Sequence, residues 1–86
     1  MPIERYYAIL NEYERRLDQR VQIREIQETT KETYLQDANR IFEALISVFP
    51  KEVIAAIVAL RFEGPYGHII DALKEIAAER EGRRSR

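Results

Sequence analysis

The chain has 86 residues, with fourteen basic and fifteen acidic side chains, one histidine and no cysteine. A chain of that size makes one domain that buries only about 60 to 65% of its unfolded surface, and without cysteine a disulfide framework, a thiolate metal site and a cysteine nucleophile are all excluded. The formal net charge of −1 implies a mixed, solvated surface rather than the strong basic field of a nucleic-acid binder.

The chain opens charged, at Met1-Pro2-Ile3-Glu4-Arg5, with no apolar run of signal-peptide type, so the expectation is a cytoplasmic protein. Between Pro2 and Pro50 there is neither glycine nor proline, a long helix-permissive stretch. Within it Ile3, Tyr6, Leu10, Tyr13 and Leu17 alternate at spacings of three and four, which is an a/d stripe of coiled-coil type. The spacing predicts a helix over about 3–27, near 37 Å long at roughly 1.5 Å per residue. Such a helix is longer than a small core can cover. The stripe is therefore expected to be an oligomer interface, most simply that of a homodimer, the alternative being that it packs within the four-helix bundle of its own chain.

Thr29-Thr30-Lys31-Glu32 reads as a capping box that would open a second helix at about 30. Its apolar side would carry Tyr34, Ala38, Ile41, Leu45 and Val48, widened by Phe42 and Phe49. The alternative is a single bent helix over 3–48, since two β-branched threonines weaken a helix without forbidding it. Pro50 disfavours helical geometry at Phe49 and suits the first position of a third helix, over about 50–62. From Val53 to Leu60 there is no polar side chain, so this element should be apolar all round and wrapped by the others. Its apolar part spans only about 12 Å, against the ~30 Å that a bilayer requires. Gly64 is the expected C′ residue, with Pro65 behind it. A fourth helix over 67–81 would bury Ile69, Ile70, Leu73, Ile76 and Ala77, stopped by Gly82. The fold class is all-α, one domain over 1–81, with 82–86 as a basic, disordered tail.

Chemistry has little to stand on. His68, Asp71 and Glu75 share a helical face, but one imidazole and two carboxylates need further ligands before they hold a cation. Ser47 and Ser85 have no histidine near them in sequence, and no glycine-rich phosphate loop is present. No enzyme, cofactor or metal is expected. Phosphate contact has two hints: Arg16, Arg20 and Arg24 recur every four residues, and Arg83, Arg84 and Arg86 close the chain. Against them, Glu12, Glu14, Asp18, Glu25 and Glu28 are interleaved with the first set.

The run from Leu60 to Ile70, with Gly64-Pro65 and Gly67 inside it, resembles the Leu, Gly-Pro, Gly, Ile pattern early in the winged-helix domain of PadR-like regulators. Its turn is one residue short of that pattern. Moreover, the helix that would read DNA offers Asp71, Glu75, Glu79 and Glu81 to phosphates, where a recognition helix needs the reverse, so no function is carried over. The reading that remains is a small helical interaction module, a homo-oligomeric adaptor or modulator of a larger protein. By analogy of class alone, small phage and mobile-element proteins work this way. The alternative is a nucleic-acid accessory protein using the two arginine sets.

Overall fold

The architecture follows from where four apolar stripes can meet. The computed structural model describes the backbone of residues 2–84 and the side chains of residues 6–82. Among the described residues it contains α1 (Pro2–Gln22), α2 (Glu28–Val48), α3 (Val53–Ala59) and α4 (Gly67–Arg84), and no strand. Each helix touches the other three. Their shared core holds Ile9, Leu10 and Leu17 from α1, Phe42 from α2, Ile57 from α3 and Leu73 and Ile76 from α4, with no buried charged or polar residue in it. Tyr6 packs its ring on Phe42 at a centroid distance of 4.7 Å, which ties α1 to α2 near one end.

α1 ends at Gln22 rather than near 27. Arg24 adopts φ 61°, in the left-handed region. The Glu25 N–H donates to the Arg20 carbonyl (2.8 Å) and the Arg24 N–H to the Val21 carbonyl (3.0 Å). That is the hydrogen-bond pattern of a Schellman motif, built here on an arginine at C′ instead of glycine. The apolar contact that usually accompanies the motif is replaced by an ion pair: Arg20 Nε donates to Glu25 Oε2 at 3.3 Å. A single bent helix over 3–48 is thereby excluded.

α2 begins at Glu28, two residues before the expected start, and the capping box does not form. Gln27 is the N-cap and makes no side-chain cap, while the Thr33 hydroxyl donates back to the Thr29 carbonyl at 3.1 Å. Lys31 orders this junction, donating to Asp18 on α1 at 2.6 Å and pairing with Glu28 at 2.9 Å. Both acids hold the Lys31 proton more tightly than in a free lysine, Asp18 most of all.

The break after α2 falls at Phe49, before Pro50, as the proline requires. α3, however, is only seven residues long. Pro50 and Lys51 form a turn in place of its first helical positions, and Leu60 is already extended, with ψ 133°. Lys74 Nζ donates to the Leu60 carbonyl at 2.5 Å, so a side chain of α4 takes the acceptor that a longer helix would use. Gly64 is not a left-handed C′ residue, since no described glycine has positive φ. What it supplies is room: a Cβ there would stand 2.9 Å from the Phe62 ring. Gly82 does not stop α4, which continues through it to Arg84. An exposed helical glycine costs about 1 kcal/mol relative to alanine and need not end the helix.

Two substitutions test this account. Ile57→Asp is expected to abolish the helical circular-dichroism signal, because an unpaired carboxylate in the core costs several kcal/mol against a total stability of roughly 5 to 10. Arg24→Gly should instead raise stability by about 0.5 to 1 kcal/mol in urea titration, since glycine enters the left-handed region without a Cβ penalty.

Candidate interaction surface

The stripe expected to be an oligomer seam is already covered within one chain. Tyr6, Leu10, Tyr13 and Leu17 are all buried against the other helices of the same molecule, so their burial requires no second copy. Ile3, the first member of the stripe, lies outside the residues whose side chains are described. Burial pushes the Tyr13 phenol up to about 12, as desolvation of its charged form requires.

The arginine stripe is likewise engaged internally. Glu12 accepts from Arg15 through two nitrogens, at 2.9 and 2.5 Å, and from Arg16 Nε at 2.9 Å. Arg16 also reaches across to α4, where its terminal nitrogen donates to Glu79 at 2.6 Å. Arg20 pairs with Glu25. Arg24 stands beyond the end of α1 in the left-handed turn and is out of line with the other two. Arg83, Arg84 and Arg86 lie outside the described side chains. His68 sets its ring edge-on to Tyr34, at 4.7 Å, and among the described residues no three His, Asp or Glu side chains are grouped to hold a metal ion.

An exposed surface lies instead on α3. Val53, Ile54 and Ile57 face inward, and the opposite side presents Ala55, Val58 and Ala59, with Val58 39% exposed. The expectation of a helix wrapped on every side fails here, because three neighbouring helices cover only one half of it. At the adjoining end of α2, Val48 and Phe49 are also exposed, at 66% and 44%. Ala55 and Ala59 form a low ridge between two open grooves. One groove, of about 550 Å³, runs past Ile54 and Val58 toward Glu81 near the end of α4. The other, of about 400 Å³, runs past Leu45, Phe49 and Ala56. Glu52 and Arg61 both line this second groove.

The sequence pattern assigns Val48, Phe49, Ala55, Val58 and Ala59 to buried faces, and the structure leaves them exposed. The signal for them was size: a chain that supplies three other helices cannot surround a fourth whose whole circumference is apolar. No protein-family model matches the chain, and neither a curated protein nor a solved structure matches it.

The ion-pair cluster gives a pH prediction. The Arg15 guanidinium first, and Arg16 after it, hold the Glu12 carboxyl down at about 2 against an ordinary 4.5. Ionised Glu12 therefore stabilises the fold above its unfolded value, and that contribution is lost as pH falls through the folded value. The thermal midpoint should fall less for Glu12→Gln than for the unmodified chain between about pH 6 and pH 2, and the difference should shrink in high salt because these groups are partly exposed.

Proposed function

We propose that the chain is a small helical protein–protein interaction module, a cytoplasmic, homo-oligomeric adaptor or modulator of a larger protein, acting through the outward side of α3. The observation that carries this reading is the exposed apolar surface of Ala55, Val58 and Ala59, with Phe49 lining the groove beside it. Contiguous apolar surface of this kind on a small protein marks a contact site more often than inert surface, and aromatic side chains such as Phe49 supply a disproportionate share of binding energy. No described helix is long and apolar enough to cross a membrane.

The alternative, a nucleic-acid accessory protein, draws less support. Arg16 and Arg20 each already hold a carboxylate. Phosphate would have to displace Glu12, Glu79 and Glu25 before the stripe could contribute its counterion-release energy. No catalytic role is proposed.

A photo-cross-linking amino acid at position 58, introduced in the native host, tests the reading directly. It is expected to capture a polypeptide, either a second copy or a different protein, while the same group at the exposed polar position 32 captures none. Neither column-bound DNA nor RNA should retain the chain at roughly 150 mM salt. Salt-sensitive binding to random-sequence DNA that is lost in Arg16→Gln/Arg20→Gln, together with no cross-link from position 58, would transfer the function to the alternative.

A further inference from the structure

We infer that the outward face of α3 is the two-fold seam of a homodimer, with α3 of one chain lying antiparallel on α3 of its partner. This rests on the reading of the chain as an interaction module and names the occupant of its surface.

The first support is charge. An acid, Glu52, and a base, Arg61, both line the groove beside Phe49, and in the chain they stand just before and just after the seven-residue α3, about 10 Å long. Both side chains are exposed, and neither takes part in an ion pair among the described residues. A two-fold axis makes the contact isologous, so each residue meets its complement twice. An antiparallel second copy then brings Glu52 against Arg61 at both ends of the seam. A parallel copy would set Glu52 against Glu52 and Arg61 against Arg61, with the sign of the interaction reversed.

The second support is shape, and it follows from the same antiparallel arrangement. Within α3 (Val53–Ala59), an antiparallel crossing between Ala56 and Ile57 pairs 55 with 58 and leaves Glu52 and Arg61 just beyond opposite ends of the paired helices. The small Ala55 of each chain therefore faces the larger Val58 of the other, which lets two short helices interdigitate as ridge into groove. Charge and side-chain size are thus both met by the antiparallel arrangement.

The test is a charge-swap series read by light scattering and analytical ultracentrifugation on the full chain, with circular dichroism confirming that each variant folds. The unmodified chain should be a concentration-dependent dimer. Glu52→Arg alone and Arg61→Glu alone should each raise the dissociation constant by about tenfold or more, because both ends of the seam become like-charged together. Mixing the two single variants should restore a dimer, now a heterodimer with opposite charges at both ends, and the double variant Glu52→Arg/Arg61→Glu should dimerise by itself. Unequal rescue, or single reversals that leave the dissociation constant unchanged, would overturn this seam. A monomer at every concentration up to about 1 mM would show that no second copy binds. If the cross-link from position 58 then still captures a different protein, the interaction module stands without the homodimer. If it captures nothing, both fail.

Discussion

Everything in this fold depends on how a fully apolar segment of eight residues is divided between inside and outside. Val53, Ile54 and Ile57 anchor the core, and all four helices converge where Ile57 is completely buried. Those inward side chains account for the stability that α3 confers, at roughly 1.5 to 3 kcal/mol for each large aliphatic side chain fully buried. The outward side of the same helix contributes nothing of the kind in one isolated chain. A structure that needed only stability could have placed polar residues at 55, 58 and 59 without touching the core.

The charged residues follow the opposite logic. They are numerous, and many of those on α1 and at the α1–α2 junction are paired: Glu12 with Arg15 and Arg16, Arg16 again with Glu79, Arg20 with Glu25, and Lys31 with Asp18 and Glu28. Individually such exposed pairs are worth little, about 0 to 1 kcal/mol. Their structural effect is positional. Arg16 with Glu79 links α1 to α4, and Lys31 with Asp18 fixes the α1–α2 junction, so the pairs select one helix arrangement among several that would bury similar apolar area.

Much of this was legible in the residues. The break before Pro50 and the inward face of α4 could both be read, because proline geometry and the 3.6-residue period act locally. The end of α1 could not. It rests on an arginine in a left-handed conformation, held by the Schellman hydrogen bonds and the Arg20–Glu25 pair, and nothing in Val21-Gln22-Ile23-Arg24 announces that role. The extent of α3 was also hidden. Its last turn is lost to a hydrogen bond from Lys74, fourteen positions away from the carbonyl it takes, which is a tertiary contact invisible to any local rule.

The α1 stripe, buried within one chain, is instructive for the same reason. The stripe on α1 has the spacing of a coiled coil, but periodicity records only that a face is buried, not by which chain. Two tyrosines in that stripe, Tyr6 and Tyr13, are compatible with an intrachain site because a phenol can bury its ring while its hydroxyl reaches the edge of the core; no buried side-chain oxygen among the described residues lacks a partner. Once α2, α3 and α4 have covered α1, a helix too short to be enclosed keeps apolar surface exposed. In this chain that helix is α3, whose seven residues are flanked by turns and extended backbone rather than by further helix. Its outward face is left bare by the same packing that buries the α1 stripe, so the interior of the bundle and this exposed apolar face have one physical origin.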